Sequence, residues 1–364
     1  MVKAKILPLT YMESIEYPFW AWATFFTIVF TALAVDLGIV NRKARIPKKK
    51  EVLIWSIVWV SLALSFNVFV YWMVNNHFED HKLALIKTQE YLTGYLIELS
   101  LSVDNLFVFL LIFSYFKVPK KYQHRVLFWG IMGALIMRMI MIFVGTELVE
   151  KFHWTIYIFG AILIYSGLKM LRQEDKDFNP EDTFLVSSIT RFVKISKHYE
   201  GDRFFIYRDG RWMGTLLLMV LIIVEISDLI FAVDSIPAIF GITTDRFIVY
   251  TSNIFAILGL RTFFFLLADV VDKFHYLKYG LTFILCFIGV KMLLPLFAEI
   301  LLWSNLTGIE ATEILKNFLD KKYNDKIITL SLSVVASTIF LSIMLSMLFP
   351  VKPRQEETVL KEEK

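Results

Sequence analysis

The sequence carries a single cysteine, Cys286, among 364 residues. One cysteine excludes an intramolecular disulfide and a cluster of thiolates around a metal. Charged residues are also scarce, at 20%, and they are kept out of long stretches of the chain. No basic run is interleaved with aromatics in the manner of a nucleic-acid surface, and no long low-complexity segment is present. Nucleic acid is therefore not an expected partner, and no organic cofactor is expected. The Glu- and Lys-rich tail beyond Pro350 reads as a short solvated terminus.

What fills the chain instead is apolar: 57% hydrophobic and 16% aromatic residues, with a mean hydropathy of +0.60. A soluble domain averages about 45–50% apolar. The excess is gathered into blocks of about 20 residues, the length at which a helix crosses a bilayer. Nine blocks predict an all-α membrane protein of about nine transmembrane helices, near 19–40, 52–74, 91–116, 126–146, 154–171, 214–240, 247–268, 276–302 and 328–350. Ala32-Leu33-Ala34 resembles a cleavage site, but a secretory signal has its basic residues before the apolar core. Here Arg42, Lys43, Arg45, Lys48, Lys49 and Lys50 follow it. By the positive-inside rule that cluster faces the cytoplasm, which places the N-terminus outside and the C-terminus inside. Lys117, Lys120, Lys121, Arg125 and the 172–213 segment then fall inside, and Glu147 and Glu150 outside.

Within 172–213, Leu185, Ile189, Phe192 and Val193 share a helical face beside Arg191, Lys194 and Lys197, a pattern suited to a helix lying on the membrane surface. Farther on, Arg203-Phe-Phe-Ile-Tyr207 and Arg211-Trp212-Met213 flank Asp209-Gly210. Asp-Gly is a strong two-residue hairpin turn, so a small structural flap is expected.

The chain also repeats itself. Glu98-Leu-Ser-Leu-Ser-Val-Asp104-Asn105 matches Asp228-Leu-Ile-Phe-Ala-Val-Asp234-Ser235, each with an acid six positions before a Val-Asp pair. Downstream, Arg138 matches Arg261, and Gly167-Leu-Lys169-Met-Leu171 matches Gly289-Val-Lys291-Met-Leu293. Each copy covers three spans. An odd number sends the second copy through the membrane in the opposite sense, giving a three-plus-three inverted repeat core, an arrangement that places sites near the bilayer midplane. The predicted organisation is a two-helix addition (1–90), the first repeat (91–171), a cytoplasmic loop with amphipathic helix and hairpin (172–213), the second repeat (214–302), and a final span with its tail (303–364).

The chemistry lies in the acids. Glu98 and Asp104 fall in the third span; Glu225, Asp228 and Asp234 fall in the sixth. A charge at the bilayer centre costs roughly 2.5–3.5 kcal/mol on insertion scales, so such residues persist where water, a partner or a cation meets them. Residues six apart on a straight helix point about 120° from each other. A local unwinding would let them converge. Pro237 supplies a cause in the second repeat, since it leaves the carbonyl of Val233 without a helical donor; a break near Asn105 is its counterpart in the first. Oxygen ligands without thiolates suit Mg²⁺, Ca²⁺ and Mn²⁺. Glu98, Asp104, Asp228 and Asp234 are the expected anionic ligands, with Asn105, Glu225 and Ser235 beside them. Arg138 and Arg261 are counter-ions or gate residues that neutralise the acids in the empty state; the competing reading is that they only tie helices together. Lys169 and Lys291 are further gating or counter-ion candidates, the simpler reading being that they snorkel to opposite interfaces. His77 and His81, four apart, would bind metal only if they shared a helix.

These motifs resemble the TerC family, and within it the Alx branch of the LysE-type transporter superfamily. The resemblance rests on Tyr95-Leu-Ile-Glu98-Leu-Ser-Leu-Ser-Val-Asp104-Asn105, on Glu225-Ile-Ser-Asp228-Leu-Ile-Phe-Ala-Val-Asp234-Ser-Ile-Pro237-Ala-Ile-Phe240 and on Thr251-Ser-Asn-Ile-Phe-Ala-Ile-Leu-Gly-Leu-Arg261. It covers about residues 20–300. It implies export of manganese, as transported substrate, across the bacterial inner membrane; some members are linked to tellurite resistance or to alkaline pH. The family's acidic site residues fall on Glu98, Asp104, Asp228 and Asp234. The alternatives are a LysE-like amino-acid exporter and a membrane assembly or docking factor working through 172–213. An enzyme is not expected, since the aspartates lack the Gly-x-Gly-Asp setting of intramembrane proteases. Coupling by proton antiport is the natural hypothesis, and the oligomeric state is left open.

Overall fold

Ten α-helices and one β-hairpin make up the described part of the chain. The computed structural model describes residues 15–35, 49–172, 195–196, 199–208, 211–267, 276–303 and 321–349. In order these form α1 (Phe19–Val35), α2 (Lys49–Phe78), α3 (His81–Tyr115), α4 (Lys120–Lys151), α5 (Thr155–Arg172), β1 (Phe205–Arg208), β2 (Arg211–Gly214), α6 (Leu216–Phe240), α7 (Arg246–Leu258), α8 (Leu260–Leu267), α9 (Leu277–Trp303) and α10 (Lys321–Leu348).

Six helices are long and apolar enough to cross a membrane: α2, α3, α4, α6, and the Leu277–Ala298 and Ile327–Leu348 stretches of α9 and α10. The α7–α8 pair, bent by 44° at Gly259, would make a seventh as one broken span. The two remaining expected spans coincide with the shorter apolar helices α1 and α5, of 17 and 18 residues. The outer faces of the longer helices are apolar: Ile54, Ile57 and Val68 on α2 and Ile136, Ile140 and Val144 on α4 are exposed. Rows of exposed isoleucine and valine side chains suit contact with lipid rather than water.

Local sequence sets the turns. Asp80 caps α3 by accepting from the Leu83 N–H at 3.0 Å, and Glu79 takes the left-handed conformation (φ 52°) that reverses the chain from α2 into α3. Lys117 does the same between α3 and α4 (φ 49°). Thr215 and Asp245 cap α6 and α7. A capping oxygen satisfies N–H groups that have no partner inside the helix.

Contacts define two ends of the bundle. At one, Tyr17, Phe78, Asp245, Glu147 and Arg246 meet. At the other, the Phe116 carbonyl, Tyr199, Arg125 and Asp202 meet beneath the hairpin. β1 and β2 pair antiparallel in the register Phe205↔Gly214 and Arg208↔Arg211, so the Asp209-Gly210 link expected as a turn joins them, although those two residues lie outside the described part. The predicted amphipathic segment at 185–197 also lies largely outside it.

Helices of the first sequence copy pack on those of the second: α3 on α7 and α6, α4 on α6, α5 on α9. Gly160 and Gly289 make the α5–α9 crossing close. A Cβ on Gly160 would stand 3.0 Å from the Gly289 carbonyl oxygen, and one on Gly289 would stand 2.7 Å from that of Gly160. Two turns away, a Cβ on Gly167 would stand 3.2 Å from the Thr282 carbonyl oxygen. The register that lays Gly167 on Gly289 also lays Gly160 on Thr282, so the two contacts exchange under the repeat.

Two expectations about helix breaks change. α6 runs unbroken from Leu216 to Phe240 with Pro237 inside it, and α3 is continuous through Asn105. Pro237 lies in the last turn, where only one intrahelical bond is lost and little helix follows to be redirected. The break falls instead at Gly259, a residue with weak helical preference.

Candidate functional site

Arg138, in the middle of α4, is fully buried. Its guanidinium pairs with the Glu98 carboxylate of α3, donates to the Ser235 hydroxyl at 3.3 Å, and lies 3.6 Å from the Asp228 carboxylate, the last two on α6. Glu98 also accepts from the Ser102 hydroxyl at 3.2 Å. Acids from both sequence copies therefore converge on one arginine. The cluster has geometric slack: Asp228 Oδ2 and Arg138 Nε and Nη2 are buried without a hydrogen-bond partner among the described residues. Unpaired buried polar atoms of this kind are costly, and here they gather in a single place. Asn105 is buried farther along α3.

The remaining acids occupy separate positions. The Glu225 carboxylate lies in the notch at Gly133 of α4, where any side chain would overlap it. Asp234 turns toward α5, accepting from the Ser166 hydroxyl at 2.5 Å, with Lys169 near enough to act on it electrostatically. Lys291 acts in the same way on Glu90. The side chain of Asp104 lies outside the described residues; its backbone belongs to α3.

Arg261 does not sit with Arg138. It is buried at the hairpin end, 2.6 Å from the His124 ring nitrogen of α4. The two arginines thus stand at different depths, although the sequence copies them. His77 and His81 belong to different helices: His81 Nδ1 is 2.7 Å from the Tyr71 hydroxyl, and His77 packs edge-on against Phe78. Among the described residues no group of three or more His, Cys, Asp or Glu side chains is placed to hold a metal ion.

A second polar centre was missed by sequence reasoning. At the Tyr17 end, the fully buried Lys87 ammonium lies 3.0 Å from Glu90 and 2.9 Å from Asp245. Thr243 donates to Glu90 at 2.8 Å and Tyr17 to Asp245 at 2.8 Å. Burial, and then the Asp245 charge, push the Tyr17 phenol well above its usual range. The reading began the third span at residue 91 and so left Lys87 and Glu90 in a loop. The signal was available: Lys87, Glu90, Gly94 and Glu98 fall at spacings of three and four, one helical face. Nearby, Arg246 closes the end of α4 by binding Glu147 and Glu150 at 2.9 Å and 2.5 Å.

A bundle of long apolar helices with paired charges in its interior is an integral, multi-pass membrane protein. The profile of the Integral membrane protein TerC family matches residues 84–354, and the chain belongs to that family. It is 52% identical over 271 residues to an uncharacterized membrane protein of Myxococcus xanthus, covering 74% of this chain and 82% of that one. It is 47% identical over 280 residues to Alx of Escherichia coli K12, whose given name marks it provisionally as a membrane-bound redox modulator, covering 77% and 87%. An uncharacterized membrane protein of Rickettsia bellii is 41% identical over 310 residues, covering 83% of this chain and all of that one. No solved structure matches the chain.

Proposed function

We propose that this protein is a secondary transporter that exports a hard divalent cation, manganese foremost, through the buried acids around Arg138, with nine spans of which six form an inverted three-plus-three core. The single observation that carries the reading is the meeting of Glu98 and Asp228, one from each sequence copy, on the fully buried Arg138. The exchanging contacts at Gly160–Gly289 and Gly167–Thr282 support the inverted repeat.

In this arrangement the Arg138 guanidinium occupies the place that a transported cation would take between the acids. A dication entering between Glu98 and Asp228 offers more charge than the guanidinium, and the imperfectly bonded Asp228 and Arg138 atoms make the exchange less costly than breaking a saturated ion pair. Asp104, Asp234, Asn105, Glu225 and Ser235 are the remaining oxygen groups along the route. Protons taken up by the acids as the metal leaves would couple export to proton entry. The protein lies in the bacterial inner membrane with its N-terminus outside. The redox role in the name of the Escherichia coli relative draws less support, since one cysteine cannot cycle through an intramolecular disulfide.

Reconstitution into liposomes with a fluorescent metal reporter tests this. Mn²⁺, Mg²⁺, Ca²⁺ and Zn²⁺ are compared at two pH values for the wild type and for Glu98→Gln, Asp104→Asn, Asp228→Asn and Asp234→Asn. Saturating Mn²⁺ should also stabilise the wild type, by about 2.7 kcal/mol at a hundredfold excess over Kd. Unchanged flux and unchanged stabilisation in the Asp104→Asn/Asp234→Asn double variant would sink the proposal. Efflux of lysine or arginine in place of metal would favour an amino-acid exporter.

A further inference from the structure

The hairpin presents a face that nothing else in the described chain covers. Phe205, Tyr207 and Trp212 are 55%, 65% and 72% exposed, and Tyr207 and Trp212 pack edge to face across the strands with ring centroids 5.6 Å apart. The register places all three on one side, because residues 205 and 207 share a face and Trp212 pairs with Tyr207. Ile206 and Met213, on the other side, are half-buried.

The hairpin is not a loose loop. The Thr215 N–H donates to the Phe204 carbonyl at 2.9 Å and its hydroxyl to the Arg203 carbonyl at 2.7 Å. The Ser196 N–H donates to the Gly214 carbonyl at 2.8 Å, and Arg125 stacks over the Phe204 ring. The Tyr199 hydroxyl donates to the Phe116 carbonyl at 2.7 Å. A two-stranded hairpin is marginal by itself; these anchors hold it at the mouth of α6, one residue before a membrane-crossing helix begins.

Among the described residues at this end, basic side chains outnumber acidic ones. Arg125 pairs with Asp202, and Arg208 with Glu200. Lys117, Lys120, Lys121, Arg203 and Arg211 then have no acidic partner among the described residues. An anchored aromatic face beside the start of a membrane-crossing helix, on a hairpin that also carries Arg203 and Arg211, is the combination that suits the boundary between acyl chains and anionic headgroups.

From this we infer that the hairpin is a lipid-docking element: Phe205, Tyr207 and Trp212 lie in the headgroup layer, and the adjacent cations hold anionic phospholipid against them. The occupant is lipid rather than protein because the hairpin is anchored one residue from the start of a membrane-crossing helix, and aromatic rings beside basic side chains are the chemistry of the headgroup layer.

The test uses the full-length protein with its nine tryptophans replaced by 5-fluorotryptophan, in nanodiscs of phosphatidylcholine alone or with phosphatidylglycerol. The Trp212 fluorine line is assigned by its loss in Trp212→Phe. A water-soluble gadolinium chelate should broaden that line less in anionic discs than in zwitterionic ones. High salt should abolish the difference, and so should Arg203→Glu with Arg211→Glu, each lost basic residue weakening docking about fivefold. The salt arm needs no variant and stands if the double variant fails to fold. Equal broadening in the two kinds of disc overturns the inference. Protection seen only in native membrane vesicles overturns it in favour of a protein partner.

Discussion

Gly160 and Gly289 meet backbone to backbone, each leaving room for the other's carbonyl oxygen where a side chain would otherwise stand. The contact fixes how closely α5 and α9 cross, and so how the two outer members of the sequence copies face each other. Membrane helices associate through such small-residue crossings because lipid supplies no hydrophobic drive between them.

A valine at either position should force the helices apart. Overpacking costs about 1–3 kcal/mol, so Gly289→Val and Gly160→Val should each lower the thermal midpoint of the detergent-solubilised protein. Gly201→Val, at a position with open space, should matter for a different reason: its φ of 66° disfavours a β-branched side chain.

Removing Arg138 leaves two acids buried without a cation. Arg138→Met should cost about 3–5 kcal/mol, the usual consequence of breaking a buried pair from one side. Adding Glu98→Gln to Arg138→Met should restore part of the lost stability. Thermal unfolding of the two variants reads the difference, and a double variant no more stable than Arg138→Met would count against the pairing.

The same logic applies to Lys87, whose ammonium joins Glu90 to Asp245. Lys87→Met should destabilise by about 3–5 kcal/mol. Tyr17→Phe, which deletes one hydrogen bond to Asp245, should cost about 1 kcal/mol. Denaturant or thermal unfolding distinguishes the two sizes of effect.

Alkaline pH should weaken the fold through two phenols outside the spans. Burial pushes Tyr199 up to about 12, and burial with the Asp245 charge pushes Tyr17 up too. Below the ordinary tyrosine value of about 10 both states keep the proton and nothing changes. Above it the unfolded chain ionises first, so stability falls as pH rises toward 12 for Tyr199. Tyr199→Phe should flatten that decline in unfolding curves taken across pH 9–12 (roughly the tyrosine range).

How much of this could be read from the residues depends on what they bury. Span positions were legible because apolar length is a direct consequence of bilayer thickness; the predicted 276–302 is α9 at Leu277–Trp303. The hairpin was legible from Asp209-Gly210 and its alternating flanks. The start of α3 was not, because Lys87 and Glu90 look like solvated charges until Asp245, far along the chain, closes over them. Pro237 misled for the opposite reason: near a helix end a proline has little left to break. Glu98 and Asp228 were legible as matched acids of the two copies and Arg138 as a candidate counter-ion, but that both acids meet on Arg138 was not, since the contact joins α3, α4 and α6; the pairing of Arg261 with His124 had no local signal either, since it depends on where α8 turns after Gly259.

The length of α3 has a consequence for the surrounding membrane. Its 35 residues extend about 52 Å, well beyond a hydrocarbon layer of about 30 Å, whereas the 18 residues of α5 reach only about 27 Å. One bundle thus sets a helix longer than the hydrocarbon layer beside one slightly shorter than it. Thickening the membrane with longer acyl chains relieves the first mismatch and aggravates the second, so acyl-chain length should change the tilt of α3, the helix that carries Glu98.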